Sequence, residues 1–142
     1  MKQNKLLVII AIALLTLITG CANDDFQETI SLCPTVIATV PVNGATNVPL
    51  NQVITVTFNE EMNPSTIDQT SLTISGTGAI GGVITYSGNT ATFTPTANLT
   101  PNTTYIGKVS TAVKDLRGNA LQEDYIWTFS TGATLLPLVI ST

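Results

Sequence analysis

Short runs in which apolar and polar residues alternate make up most of the chain after its N-terminal quarter, and turn residues separate them. In residues 52–58 the alternation places Ile54, Val56 and Phe58 on one side and threonines on the other. Residues 125–129 put three aromatic side chains on one face in the same way. A period of two predicts strands that are buried on one side only, and no helical period is long enough to bury a face. The sequence therefore predicts an all-β antiparallel sandwich.

The segments between these runs contain turn residues. Residues 41–44 and 87–89 include Gly and Asn, which supply positive φ between strands. Residues 76–82 predict a loose glycine-rich loop, and residues 63–67 predict a single helical turn.

Four aromatic residues are expected to hold the fold together. Phe58, Phe93 and Trp127 lie on the inward faces of predicted strands. Tyr105 follows residues 99–104 with the spacing of a tyrosine corner, in which a phenol at the start of a strand bonds back to the backbone of the preceding loop.

Five sequence motifs follow one another in the predicted sandwich. They are PVNGATNVP at 41–49, ITVTFNEEMNP at 54–64, LTPNTTY at 99–105, KDLRGN at 114–119 and WTFSTG at 127–132. Together they resemble the bacterial Ig-like domain of S-layer and surface proteins, over about residues 34–132. The resemblance implies an Ig-like antiparallel Greek-key sandwich, a fold that serves mostly as a spacer and occasionally as a binder.

The N-terminus has the pattern of a secretory signal peptide. Lys2 and Lys5 precede the apolar run 6–18, which is too short for the ~20 residues of a spanning helix. Ile-Thr-Gly before Cys21 resembles a bacterial lipobox, which implies cleavage after residue 20 and covalent lipid, including palmitate-type acyl chains, on Cys21.

The residues after Cys21 bear on the location of the protein. No aspartate directly follows Cys21, which favours the outer membrane, and Asp24-Asp25-Phe26 resembles an acidic export signal for surface lipoproteins. Acidic tethers are also common as solvated spacers, and both interpretations stay open. We expect residues 21–33 to be an acidic tether on the outer membrane, with the domain exposed at the cell surface.

Charge excludes several classes of partner. Without the signal segment, the chain has three basic residues against nine acidic ones. Binding to nucleic acid or to anionic membrane lipid needs clustered Lys or Arg, so neither is expected. The covalent lipid on Cys21 alone should attach the protein to the membrane. With Cys21 acylated, Cys33 would have no partner for an internal disulfide; burial, a link between chains or an incidental thiol remain, and its place in the linker favours the last.

A short repeat indicates a longer protein. PTVIAT at 34–39 recurs as PLVIST at 137–142, an offset of one domain length. Residues 133–142 are therefore predicted to be a linker and the first strand of a second Ig-like repeat, with neighbouring or effector domains beyond. The alternative is a chance match, since Pro, Val and Ile are common at strand starts.

Catalysis is not expected. The sequence has no histidine, phosphate loop or serine nucleophile motif, and no acidic pair suggests a cleft. Four residues would supply oxygen ligands for calcium if they meet at one end of the sandwich: Glu60, Glu61, Asp115 and Asn119. Arg117 would repel a cation there, so a structural turn is favoured, with no cofactor besides the lipid.

The leading hypothesis is a lipid-anchored, non-catalytic surface spacer. The alternative is adhesion or binding of a glycan or protein, for which Tyr86 is the aromatic residue expected outside the core. Thr90, Thr92, Thr94 and Thr96 form a row of the kind found on ice-binding surfaces, but Pro95 breaks it. An ice-binding or adhesive domain further along the protein is the more plausible form of that alternative.

Overall fold

The computed structural model describes residues 33–133 of the 142-residue chain, and these form two four-stranded sheets. The strands are β1 (Val36–Val40), β2 (Ala45–Val48), β3 (Ile54–Phe58), β4 (Leu72–Ser75), β5 (Gly82–Ser87), β6 (Thr90–Pro95), β7 (Thr104–Val109) and β8 (Tyr125–Thr131). A 3-10 turn at Pro64–Thr66 confirms the predicted helical turn. The predicted signal peptide, most of the tether and the start of the second repeat lie outside the described residues.

The sheets have the strand orders β1-β3-β6-β5 and β2-β8-β7-β4. The chain crosses from one sheet to the other at every connection except those between β5 and β6 and between β7 and β8. These crossings are the Greek-key connections of an Ig-like sandwich, so the predicted fold class is confirmed.

One strand pair departs from the expected antiparallel pattern. β2 pairs with β8 in parallel, with Ala45 opposite Phe129. The reason is that β1 and β2 are two parts of one N-terminal strand, which changes sheets after Val40 and continues in the same direction. The N–H of Gly44, at φ 79°, donates to the Thr128 carbonyl and starts the new pairing.

The alternating residues meet between the sheets. Trp127, Tyr105, Phe58, Phe93 and Phe129 are the largest fully buried side chains. The rings of Tyr105 and Phe129 stack with their centroids 5.5 Å apart. Burial of this many apolar side chains on the inner faces supplies the main stabilisation of the domain.

Two glycines on strands and one directly after a strand make room for three of these rings. A Cβ added at Gly107, Gly82 or Gly76 would lie less than 3.0 Å from the ring of Trp127, Phe93 or Tyr105 respectively. The predicted loop at 76–82 is therefore wrong at Gly82, which begins β5; Gly76 lies in the loop, beside the Tyr105 ring.

Candidate functional site

The two ends of the sandwich differ in charge. The charged end comprises residues 33–35, the β5–β6 turn at Gly88 and the connections 59–71 and 110–124. All the charged residues of the described chain lie in these connections or, for Lys108, beside them: Glu60, Glu61, Asp68, Lys108, Lys114, Asp115, Arg117, Glu123 and Asp124. The uncharged end comprises the connections 49–53, 76–81 and 96–103 together with Gly132. The sequence motifs did not predict this segregation of charged residues, which becomes visible only once the topology is known.

The chain enters at one end and leaves at the other. The Thr35 N–H donates to Asn59 Oδ1 at 2.8 Å, which ties the incoming chain to the charged end. At the opposite end the Gly132 N–H donates to the Val48 carbonyl at 3.0 Å, and the Asn102 N–H donates to the Gly132 carbonyl at 3.1 Å. The domain therefore separates its two termini by the length of the sandwich.

The uncharged end contains the tyrosine corner. The Thr100 N–H donates to the Tyr105 hydroxyl at 2.8 Å, the contact that the sequence predicted for this tyrosine. Thr131, at the end of β8, donates its hydroxyl to the Thr100 carbonyl at 2.6 Å and accepts from the Thr103 N–H at 3.0 Å. The 99–105 loop and the exit of the chain are thus held by one hydrogen-bonded network.

The residues considered for calcium lie at the charged end but do not form a cluster. An isolated bridge between Met62 and Asp115 brings the 60–62 segment beside the 114–119 loop. Within residues 33–133 no three His, Cys, Asp or Glu side chains are grouped so that they could hold a metal ion. The Asp115 carboxylate instead accepts from the Arg117 N–H, the Asn119 N–H and Asn119 Nδ2, each at 2.8 Å.

Asp115 is a buried cap of its own turn. Burial by itself would raise its pKa, but the hydrogen bonds from Asn119, Arg117 and Gly118 outweigh burial, and the pKa is lowered from 3.8. Gly118, at φ 93°, completes the reversal. This arrangement is the one expected of a structural turn.

Two more carboxylates at the charged end cap backbone groups. Asp68 Oδ1 accepts from the hydroxyl and N–H of Thr70 and from the Ser71 N–H, and these bonds lower its pKa. Lys108 bonds Asp124 at 2.8 Å and lowers the pKa of that carboxyl, which also accepts from the Thr111 N–H. The acidic residues here organise loops.

Tyr86 is not a free surface aromatic. It is half-buried, packs against the core, and its hydroxyl accepts from the Met62 N–H at 2.7 Å. The expectation that Tyr86 lies outside the core is therefore wrong. The alternation of residues along β5 places the Tyr86 side chain on the inner face. The bond to Met62, however, depends on how the 59–62 segment folds back over the sheet.

Cys33 is buried and disulfide-bonded, so the expectation of an incidental thiol is wrong. Cys21, the predicted lipid site and the only other cysteine of the sequence, lies outside the described residues. An internal disulfide at Cys33 would use the Cys21 sulfur that acylation requires, so the lipid anchor proposed below requires a mature protein in which Cys33 is not bonded to Cys21.

A groove of about 460 Å³ lies where the chain enters the domain. Cys33–Val36 and residues 121–126 line it, including Tyr125 and Asp124. It has no nucleophile paired with a base. No helix within the described part of the chain is long and apolar enough to cross a membrane.

The comparisons with known proteins agree with this geometry. The family model described as "Bacterial Ig-like domain" matches residues 32–131. No curated protein matches the chain.

Solved structures show the same fold. The N-terminal part of the bacterial S-layer protein SbsC is 21% identical with a TM-score of 0.55, over 72% of this chain and 24% of that one. LD transpeptidase LdtMt1 is 23% identical with a TM-score of 0.53, over 70% of this chain and 40% of that one. CopC from Methylosinus trichosporium OB3b is 13% identical with a TM-score of 0.55, over 71% of this chain and 95% of that one. The chain thus spans about a quarter of the S-layer fragment.

Proposed function

Because the chain belongs to the family of bacterial Ig-like domains, we propose that it is a non-catalytic spacer at the cell surface, attached to the outer membrane by lipid on Cys21. The observation that carries this proposal is the separation of the termini. Thr35 is fixed at one end of the sandwich and Gly132 at the other. Such a domain extends a chain away from its anchor.

The chemistry of the described residues supports a passive role. The carboxylates Asp68, Asp115 and Asp124 are engaged in capping or ion pairing, and Tyr86 is tied to Met62. These side chains are therefore occupied with holding loops in place. As part of the proposal, further Ig-like or effector domains follow residue 142, so the chain is the anchored base of a tandem surface protein.

Acylation of Cys21 is tested by labelling cells with an alkyne-bearing palmitate analogue. We expect wild type to be labelled and to fractionate with the outer membrane, and Cys21→Ser to lose both properties. Cys33→Ser is the matched control and should keep both. A disulfide between Cys21 and Cys33 in the purified mature protein, with no label, would overturn the lipid anchor.

Surface display is tested separately by treating intact cells with a protease. The domain should be degraded in intact cells, while a periplasmic marker stays whole. Degradation only after the outer membrane is opened would place the domain in the periplasm and remove the surface role.

A further inference from the structure

We infer that the edge strand β5 is an interaction surface at which two copies of this chain pair in antiparallel orientation. The sheets with the order β1-β3-β6-β5 then join, β5 to β5, into one continuous sheet. Such pairing goes beyond the proposed spacer role and requires no lipid anchor. Three features of the described residues support it: the state of the four sheet edges, the backbone groups that β5 presents, and the distribution of charge.

Three of the four sheet edges in residues 33–133 are short, irregular or covered. The loop after β4 folds back along that strand, and the Ile80 N–H donates to the Ile74 carbonyl at 2.8 Å. The strand β2 has four residues, and its register with β8 shifts. The register of β1 with β3 also shifts. Short, irregular and covered edges are the usual protection against pairing with another chain.

The fourth edge, β5, is regular and unprotected. Its six residues pair with β6 without a shift, from Gly82 opposite Pro95 to Ser87 opposite Thr90. No residue of β5 is charged and none is proline, and these are the residues that commonly block an edge strand. The alternate side chains on its outer face are exposed. Such an edge is suited to pairing with a further strand.

The side of β5 that faces away from β6 presents hydrogen-bonding groups. Along an antiparallel ladder, hydrogen-bonded pairs alternate with non-bonded pairs. The Thr96 N–H donates to the Gly81 carbonyl at 3.1 Å and thereby fixes this alternation. The backbone groups of the odd-numbered residues of β5 are directed to β6. Those of Gly82, Ile84 and Tyr86 are directed away from it.

These outward groups are symmetric about Thr85. The Gly82 carbonyl accepts from Gln69 Nε2 at 2.7 Å, which confirms its outward direction and occupies it. The N–H and C=O groups of Ile84 and Tyr86 have no hydrogen-bond partner within residues 33–133. An antiparallel second copy matches each of these groups, because Ile84 of either copy pairs with Tyr86 of the other. Thr85 then lies opposite Thr85 on the two-fold axis.

Charge favours the antiparallel orientation over the parallel one. The strand β5 runs from the uncharged end, at Gly81, to the charged end, at Gly88. The charged end has six acidic and three basic residues, so two such ends repel each other. Antiparallel pairing sets the charged end of each copy beside the uncharged end of the other, whereas parallel pairing would set the two acidic ends side by side.

Disulfide formation tests the register. The experiment uses the mature chain with Cys21→Ser and Cys33→Ser, so that an introduced cysteine is the only thiol. Thr85→Cys should give a disulfide-linked dimer on oxidation, because the Cα atoms of a non-bonded pair are about 4.5 Å apart, within the range of a disulfide.

Two neighbouring positions are the matched controls for Thr85→Cys. Val83 lies opposite Ser87 of the second copy, so each of these residues is about 13 Å along the strands from its own equivalent. Val83→Cys or Ser87→Cys alone should therefore remain monomeric on oxidation. A mixture of the two variants should form the mixed disulfide.

Sedimentation at increasing protein concentration tests the association itself, in the same cysteine-free background. We expect a reversible equilibrium between monomer and dimer. Thr85→Lys should weaken it at least about tenfold, because two like charges then lie opposite each other. Thr128→Lys adds the same charge at an exposed position of β8, in the other sheet, and should change the association less than about twofold.

A mixture of Thr85→Lys and Thr85→Glu should restore the association, which a loss of folding cannot do. A chain that stays monomeric at every concentration, or a dimer that Thr85→Lys leaves intact, overturns the pairing. So does Val83→Cys that links to itself as readily as Thr85→Cys does. The proposed spacer role is tested independently, because protease treatment of intact cells reports display at the surface and not self-association.

Discussion

The two ends of the sandwich are closed by the same device but differ in charge. At the uncharged end the Tyr105 hydroxyl accepts from the Thr100 N–H at 2.8 Å, and at the charged end the Tyr86 hydroxyl accepts from the Met62 N–H at 2.7 Å. The tyrosine ties satisfy backbone groups where loops fold over the core, which every sandwich must do. The charges are not needed for this closure, because one end manages without them.

This difference shows that the fold does not determine which types of residue cap the loops at its two ends. At the charged end, Asp68, Asp115 and Asp124 cap loops that are longer and more irregular. At the uncharged end, threonines and backbone groups do the same work, as Thr131 does for the 99–103 loop. The predictions below test how far the two ends behave independently around their common core.

The largest effect is expected in that core. Trp127→Ala and Phe93→Ala should each lower the free energy of unfolding by about 3–5 kcal/mol, because both rings are fully buried. The measurement is a denaturant melt of each variant. Equal losses would show that the two sheets share one core, whereas a loss confined to Trp127→Ala would mean that the sheet formed by β1, β3, β6 and β5 adds little.

Overpacking should give the next largest effect. Gly107→Ala should cost about 1–3 kcal/mol, because the added methyl group would meet the Trp127 ring. In a Trp127→Leu background the same change should cost much less, since the ring that it meets is gone. Gly78→Ala is the control, because nothing lies within 4 Å of a Cβ there. Additive costs for Gly107→Ala and Trp127→Leu would contradict the packing.

These glycines show where sequence reasoning stopped. The alternation of Ile54, Val56 and Phe58 predicted the strands, and the spacing before Tyr105 predicted its bond, because both depend on neighbours in sequence. The contact of Gly107 with Trp127 depends on which strands pair, and the parallel β2–β8 pair depends on a change of sheet. The segregation of charge required the complete topology, since the charged residues come from two connections that are far apart in sequence, 59–71 and 110–124.

Removal of the Tyr105 or the Tyr86 hydroxyl compares the stability of the two ends directly. Tyr105→Phe should cost about 1–3 kcal/mol, because it leaves the Thr100 N–H without a partner beside a fully buried ring. Tyr86→Phe should cost less, since the Tyr86 phenol is half-buried whereas the Tyr105 phenol is fully buried, although the Met62 that donates to Tyr86 is itself buried. Denaturant melts measure both. A larger loss for Tyr86→Phe would reverse the ranking of the two ties.

Acid should lower the stability of the domain only through titrating groups at the charged end. The pKa of Asp115 is lowered from 3.8 in the folded protein, so its stabilisation is present above pH 3.8 and is lost as the pH falls through the lower, folded value. Asp68 and Asp124 act with the same sign. The melting temperature should therefore fall on acidification below about pH 4. Asp115→Asn should lower it at pH 7 and reduce this fall.

The control for acid is a variant at the other end. Thr131→Val breaks the hydroxyl bonds at the uncharged end and involves no titrating group. It should lower the melting temperature by the same amount at every pH. A pH-dependent effect of Thr131→Val, or an unchanged acid response in Asp115→Asn, would show that the ends are coupled electrostatically.

The smallest effect is expected for the ion pair between Lys108 and Asp124. Both side chains are partly exposed, 42% and 35%, so water and salt screen the attraction although the atoms are 2.8 Å apart. Lys108→Gln should therefore change the free energy of unfolding by less than about 1 kcal/mol, and the change should shrink further in high salt. Asp124→Asn removes the same pair and also weakens the bond from the Thr111 N–H, so it should cost more than Lys108→Gln at every salt concentration. Denaturant melts of both variants in low and high salt measure the two losses in the free energy of unfolding. If the two losses are equal and both disappear in salt, Asp124 serves the charged end by its charge and not as a cap of the 110–124 connection.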